Sequence, residues 1–224
     1  DGFTYLLGEA HYELVIKGVG DMAVGGIVAR EHIFGEFDAA SVIVRNGDLG
    51  AIWATDTQFY RWGGGFSGLL NDAANINIRR GDLRANIAGT IGTDETLSST
   101  GLNLEIEDGN VGLIMSNVGD LTIGSAHVAG DIQVIDGLET VYVDLEIDGA
   151  LGVIRAGDMG TTAPSIISVN SDGLNQDGRI DLIDVEGDFG TEGVGGPQIS
   201  TGLGGNVRYI QVGGQVYQDN FFGS

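Results

Sequence analysis

Side chains that carry oxygen dominate the chemistry available to this chain, and they are most concentrated between Asn170 and Asp184. Acid and amide side chains recur there at short intervals, with Gly178 among them. Carboxylate and carbonyl oxygens are the ligands that Ca²⁺ prefers, and a glycine permits the sharp bend of a calcium-binding loop. A segment with this density of oxygen ligands is chemically suited to a cation.

The same stretch resembles the calcium loop of dockerins and EF-hand proteins. The third, fifth, sixth, eighth, ninth and twelfth places of that loop match Asn175, Asp177, Gly178, Ile180, Asp181 and Asp184. The first place falls on Gly173, beside Asp172, and the second copy that dockerins carry is missing. The resemblance implies calcium as the cofactor, with Asp172, Asn175, Asp177, Asp181 and Asp184 as its expected ligands.

A second group of residues with binding chemistry is aromatic. Trp53, Tyr60 and Trp62 form the densest aromatic cluster of the sequence. Aromatic rings of this kind can stack on sugars, so the cluster is a candidate carbohydrate-binding platform. Polysaccharide is the ligand class that this platform predicts.

Catalytic patterns are missing from the sequence. His11, His32 and His127 lie far apart without metal-ligand spacing, which favours isolated surface or ladder positions. No nucleophile elbow, phosphate-binding loop or metalloprotease helix motif is present. We therefore expect no catalytic residues, and a protein that is not an enzyme.

The amino-acid composition limits which classes of partner the protein can bind. The formal net charge is −22 from 32 acidic and 10 basic residues, which disfavours nucleic acid and anionic membrane surfaces and favours cations. No apolar run is long enough to insert into a membrane. Cysteine is absent, which excludes a disulfide framework but does not fix the compartment. Lys17 is the single lysine, and the sequence begins at Asp1. These features favour an extracellular or cell-surface location, as a processed secreted chain or a piece of a larger one.

The elements that would position these residues follow from a repeat. Each copy has two apolar residues at alternate positions, then a glycine, a small or acidic residue and another apolar residue, as in Val42–Leu49. Strict alternation predicts strands with one buried face. The spacing is about 28 residues or that unit with insertions, which allows about three short strands per copy. The second apolar anchors fall at Ile16, Val44, Ile78, Ile106, Ile147, Val185 and Val212.

A glycine–acid corner that recurs at this spacing favours an all-β parallel β-helix, because each turn of a solenoid repeats the same corner. We expect one domain over 1–224, with about seven rungs and a stacked ladder made of the seven anchors. A β-sandwich or jelly roll is the alternative fold. The segment 1–16 is the expected amino-terminal cap, with a short helix from Phe3 to Ile16, and loop insertions are expected near 59–74, 93–100 and 161–178.

Asp48, Asp82 and Asp188 follow corner glycines. Aspartate readily accepts a hydrogen bond from a turn N–H, which is the expected role of these three residues. The alternative is a ladder of carboxylates bridged by calcium.

As a whole, the repeat resembles β-helical bacterial surface proteins such as adhesins and surface-layer subunits, and its Gly-Asp-Ile corners resemble those of bactofilins. The resemblance implies a structural, self-assembling component of an extracellular layer, fibre or adhesin. Its partners would be further copies, neighbouring domains of a larger chain, or polysaccharide. The alternative is a carbohydrate-binding module, or a polysaccharide lyase or glycoside hydrolase, of the pectin lyase-like β-helix type.

Overall fold

The computed structural model describes residues 3–10, 14–16, 22–33, 41–54, 75–88, 91, 102–161, 165–170, 178–193 and 195–217. Regular structure in these ranges is entirely β-strand. None of the described segments is a helix that is long and apolar enough to cross a membrane. The strands are β1 (Phe3–Ala10), β2 (Leu14–Ile16), β3 (Met22–Ile33), β4 (Ser41–Val44), β5 (Asp48–Ala54), β6 (Asn75–Ile78), β7 (Leu83–Ala88), β8 (Leu102–Ile106), β9 (Val111–Ser116), β10 (Leu121–Val128), β11 (Ile132–Ile147), β12 (Leu151–Met159), β13 (Ile166–Val169), β14 (Arg179–Val185), β15 (Gln198–Thr201) and β16 (Asn206–Val212).

All sixteen strands belong to one sheet that does not close on itself. Every strand pair is parallel, and the antiparallel contact found among the described residues is the isolated bridge between Thr191 and Gly195. The prediction of an all-β, parallel architecture is confirmed. Parallel pairing throughout argues against the sandwich alternative, which is built from antiparallel strands.

The strands stack in columns. The first column contains β1, β3, β5, β7, β9, residues 132–137 of β11, then β12, β14 and β16. The second column contains β2, β4, β6, β8, β10, residues 143–147 of β11, then β13 and β15. A short third column pairs Ile91, Leu121, Val141, Met159, Phe189 and Val216.

The buried residues of the three columns form one apolar core cluster. Inward positions of the first column are occupied mainly by Ile, Leu and Val, and those of the second by the same residue types. Phe189 of the third column is completely buried and is the largest fully buried side chain. Burial of these side chains at about 25 cal/mol per Å² of apolar surface is the main stabilising term.

The predicted ladder of seven anchors is partly wrong. Ile16, Val44, Ile78 and Ile106 do pair in successive strands of the second column. The ladder then continues through Val128, Ile147 and Val169. Val185 and Val212 instead pair with each other in the first column. The misassignment arises because the glycine–acid corner occurs at two places along the path of the chain, so the motif alone does not identify the column.

The helix expected from Phe3 to Ile16 is also wrong. Residues 3–10 form β1, which pairs with β3, and residues 14–16 form β2, which pairs with β4. Pairing with neighbouring strands satisfies the backbone groups that a helix would have satisfied internally. The predicted insertion at 161–178 includes β13, whereas those at 59–74 and 93–100 lie outside the described residues.

One polar side chain interrupts the core. Asn86 lies between Ile52 and Ile114 in the first column and is 1% exposed. Among the described residues, neither its amide nitrogen nor its amide oxygen has a hydrogen-bond partner. The other two polar residues found buried in these ranges do have partners, since Ser116 donates to the Gly119 carbonyl and Ser165 accepts from the N–H of Val143. Asn86 is therefore a local cost to stability.

Replacing Asn86 by Ile should raise the free energy of unfolding by about 1–3 kcal/mol, because it removes an unsatisfied buried amide without changing the number of side-chain heavy atoms. Chemical denaturation of both proteins measures the change. Asn77→Ile is the matched control: Asn77 is partly exposed in β6, so its replacement should change stability less. A destabilised Asn86→Ile protein would contradict the assignment of Asn86 as unpartnered.

Candidate functional site

Acidic residues at the corner between the second and first columns form a hydrogen-bonded ladder, which we call the first corner. Oδ1 of Asp48 accepts from the backbone N–H of Asp82 at 3.0 Å, and Oδ1 of Asp82 accepts from that of Asn110 at 2.8 Å. Asn110 accepts in the same way from Asp131 at 2.9 Å, and Asp131 from Ala150 at 2.8 Å. The expected role of Asp48 and Asp82 is confirmed, with the donor lying one strand further along the stack.

A second corner, between the first and third columns, is built on the same plan. Oδ1 of Asp120 accepts from the N–H of Thr140 at 2.9 Å. Asp158 accepts from Asp188 at 2.6 Å, and Asp188 accepts from Gln215 at 2.8 Å. Asp188 thus has the predicted role at a different corner from Asp48 and Asp82. Because these carboxylates are bonded to backbone N–H groups, each links one layer of the stack to the next.

Asp48 is held in its ionised form. Its Oδ2 contacts Nη2 of Arg84 at 2.8 Å. Burial raises the pKa of Asp48, but hydrogen bonds from the Asp82 N–H and the Arg84 guanidinium outweigh that effect and hold it below its ordinary value. Asp48 therefore remains a charged acceptor at neutral pH.

Two of the predicted calcium ligands are described, and both lie in β14. Oδ1 of Asp181 contacts Nε of Arg179 at 3.0 Å and Nη1 of Arg208 at 3.1 Å, while Asp184 lies level with Arg155 in the adjacent strand. Asp172, Asn175 and Asp177 lie outside the described residues. Within the described ranges, no group of three or more acidic or histidine side chains is arranged to hold a metal. The calcium loop stays a prediction, which a melting temperature with and without chelator would test.

The predicted carbohydrate platform is described only at one residue. Trp53 lies in β5, level with Ile87 of β7 and Val28 of β3. Tyr60 and Trp62 lie outside the described residues. Carbohydrate binding through these three residues stays a prediction.

A charge cluster that the sequence did not reveal surrounds His127 on the outer face of the second column. His127 Nδ1 lies 2.8 Å from Oε1 of Glu105, and Nε2 lies 3.7 Å from Oδ2 of Asp148. The amide of Asn170 donates to Glu146 at 3.2 Å and to Asp148 at 3.0 Å. These residues are about 20 positions apart in the chain and meet only through strand pairing, so no local motif could have indicated them.

The carboxylates around His127 favour its charged form. The hydrogen bond to Glu105 raises the pKa of His127, burial opposes it, and the charges of Glu105, Asp148 and Glu146 raise it further, so the pKa lies above its ordinary value. A raised pKa in the folded protein stabilises the fold at pH values below the unfolded value of about 6.5. That contribution is lost as the pH rises through the folded pKa.

Replacing His127 by Gln should therefore cost more stability at pH 6 than at pH 9, because only the lower pH retains the imidazolium and its contacts with the carboxylates. Denaturant unfolding at the two pH values measures the difference. In a Glu105→Gln background the pH-dependent part should shrink, since the nearest carboxylate is gone. An equal loss at both pH values would contradict the assignment.

The carboxyl-terminal edge of the sheet is formed by β15 and β16, each of which has one described partner. β15 pairs with β13 and β16 pairs with β14, and no described strand lies on the other side of either. Ile183 and Val185 of β14 are buried to 0% and 1% exposure, whereas their partners in β16, Ile210 and Val212, are partly exposed. Within the described ranges, no strand covers the end of the apolar core at this edge, which we call the free edge.

The free edge is also poor in charge. β15 has no ionisable side chain, and the one in β16 that is charged at neutral pH, Arg208, is paired with Asp181 of β14. Apolar groups continue around it, with Leu203 84% exposed in the turn between the two strands and Val216 44% exposed in the third column. Proteins usually protect strand edges with charges, prolines or covering segments. The free edge is a candidate interface.

Comparison with known proteins finds no family model, no curated protein and no solved structure that matches this chain.

Proposed function

We propose that the three columns are the faces of a parallel β-helix. The chain passes from the second column to the first, on to the third and back to the second, and parallel strands stack at each pass, which supports this coil. One turn is 18 residues at its shortest, from Val141 to Met159, and 34 at its longest, from Leu49 to Leu83. The interval between Ile106 and Ile147 holds two turns through Val128, so the coil has more turns than the expected seven.

In this coil, the function that the geometry supports best is structural. The protein is a self-assembling component of an extracellular or cell-surface layer, fibre or adhesin. The observation that carries the proposal is the free edge, where the apolar core ends in parallel strands that carry little charge and have no described strand on their outer side. Pairing with another strand on that side would engage the outward backbone groups of these strands and cover Ile210 and Val212.

Head-to-tail contact is the mode of assembly that the strand direction favours. At the other end of the stack β1 and β2 are the terminal described strands, each paired on one side with β3 or β4. A parallel stack can continue only when the free edge of one copy meets this opposite end of the next. Contacts between unlike surfaces generate open filaments unless rotation closes a ring.

The test is concentration-dependent assembly. Sedimentation velocity on the unmodified chain should show mass that increases with concentration, and electron microscopy should show filaments. Leu203→Glu should raise the protein concentration required for assembly at least tenfold, because it adds a charge to the free edge. Leu203 is 84% exposed and contributes little to folding stability, so the variant should still fold.

The matched control is Leu138→Glu. Leu138 is 62% exposed in β11, away from the free edge, so this variant should assemble as the unmodified chain does. A chain that stays monomeric at every accessible concentration would overturn the proposal. If that monomer also bound or degraded an acidic polysaccharide, the carbohydrate-active alternative would be favoured.

A further inference from the structure

The outer surface of the first column carries a line of apolar side chains, which we call the outer stripe. Leu113, Val134, Val153, Leu182 and Tyr209 pair one after another in successive strands. The first four are partly exposed and lie outside the core cluster, and Tyr209 is 70% exposed. At about 4.8 Å per strand the stripe extends about 19 Å. Contiguous exposed apolar surface commonly marks an interaction site.

The stripe widens towards the amino-terminal strands. Ile87 and Met115 pair with each other and are partly exposed. Ile87 lies two residues after Ala85, and Met115 lies two residues after Leu113. Ala85 and Leu113 are both in line with the stripe, and side chains two residues apart in a strand share a face. The apolar surface therefore continues past Leu113 beside the stripe.

Charge distinguishes this face from the rest of the molecule. The column segments 83–88, 111–116, 132–137, 151–156, 180–185 and 207–212 have no net charge, although the chain carries −22. The positive charges of Arg84, Arg155 and Arg208 cancel the negative charges of Asp136, Asp181 and Asp184. In the second column, segments 102–106, 121–128 and 143–147 contain Glu105, Asp144 and Glu146 against one histidine, His127. The listed segments of the first column can therefore approach their own copy with less net repulsion than those of the second.

The charges on this face also alternate along the stack. Arg155 lies between Asp136 and Asp184 in successive strands, and its Nη1 is 3.5 Å from Oδ2 of Asp136. A second copy displaced by one strand, about 4.8 Å, would place Arg155 level with an aspartate of its neighbour. The face is therefore complementary to itself in charge as well as apolar at its centre.

We infer that the outer stripe is a lateral interface through which two copies of this chain pack face to face. The face is six strands high, at about 4.8 Å between strands, and six residues wide, at about 3.3 Å per residue. Its area is therefore about 600 Å² per copy, which is at the lower end for stable interfaces. Each lateral contact is therefore weak alone and becomes strong when repeated along a filament. In this respect the inference rests on the proposed function, since head-to-tail assembly supplies the repetition.

The experiment compares Val153→Glu with the unmodified chain in assembled samples. Val153 lies at the centre of the outer stripe, points away from the core and is partly exposed, so the variant should fold. We expect filaments of the unmodified chain to have twice the mass per length of Val153→Glu filaments, as measured by scanning transmission electron microscopy. Ser168→Glu adds the same charge on the second column, where Ser168 is partly exposed, and should keep the paired mass per length.

Equal mass per length in the unmodified chain and Val153→Glu would overturn the lateral interface while leaving head-to-tail assembly intact. If no filaments form, the proposed function fails, and sedimentation equilibrium at about millimolar concentration still decides the inference. A weak dimer of the unmodified chain that Val153→Glu loses and Ser168→Glu retains would support it. A strict monomer at that concentration would overturn it.

Discussion

Replacing Ile106 by Asp is expected to unfold the protein. Ile106 is fully buried and stacks between Ile78 and Val128 in the second column. The carboxylate introduced at this position would be buried among apolar side chains without a cationic partner, and burying it would cost several kcal/mol. Natural domains are stable by only about 5–15 kcal/mol. We expect circular dichroism to show loss of strand signal, or a melting transition lowered by tens of degrees.

The control for Ile106→Asp makes the same substitution on the outside of the same column. Ile166 is 40% exposed in β13, next to the fully buried Ile167. Ile166→Asp should change the free energy of unfolding by no more than about 1 kcal/mol, because the charge remains in water. Similar melting curves for Ile106→Asp and the unmodified chain would contradict the assignment of the second-column core.

A second large effect is expected from Gly81→Ala at the first corner. Gly81 has a φ of 131°, and a Cβ built on it would overlap the carbonyl oxygen of Gly47 and lie 2.5 Å from its carbon. The layers cannot separate easily, because Gly47 N–H donates to the Arg80 carbonyl at 2.8 Å and Gly81 N–H to the Asp108 carbonyl at 2.9 Å. Overpacking and the unfavourable φ together should cost about 2–5 kcal/mol, measured by denaturant unfolding.

Gly193→Ala separates the two causes. Gly193 has a φ of 83°, but no described atom beyond its own residue and its two chain neighbours lies within 4 Å of a Cβ at that position. Its substitution should therefore cost only the backbone strain, about 1–2 kcal/mol. If Gly81→Ala is no more destabilising than Gly193→Ala, the close stacking of corner glycines does not contribute to the free energy of unfolding. Other contacts would then hold the corner together.

Several features of this protein followed from the sequence alone. Alternation in segments such as 102–106 predicts strands with one buried face, and Leu102, Leu104 and Ile106 are indeed buried. The recurring glycine–acid corner predicts one kind of turn used many times, and Asp48 and Asp82 both accept backbone N–H groups there. These inferences succeed because side-chain direction in a strand and access to positive φ are local properties of the chain.

The assignment of each copy to a column depended on the tertiary structure. Gly81–Leu83 and Gly187–Phe189 follow the same glycine–acid–apolar pattern, yet the first lies at the first corner and the second at the second corner. Both corners require a residue without a Cβ and then an acceptor for the N–H of the adjacent layer, so one pattern serves two places. Turn length also varies between layers, which removes the regular spacing that would have separated them.

The surfaces relevant to function were decided by pairing between distant segments. The local sequence around His127 contains none of the carboxylates that surround it, because Glu105 and Glu146 arrive from neighbouring strands. The outer stripe likewise consists of one residue from each of five successive strands of the first column. Val134 and Val153 are therefore neighbours only because their strands pair. Composition and periodicity determine that this chain forms parallel strands with acidic corners. Register between strands, set by backbone hydrogen bonds and core packing together, determines which outer side chains become adjacent.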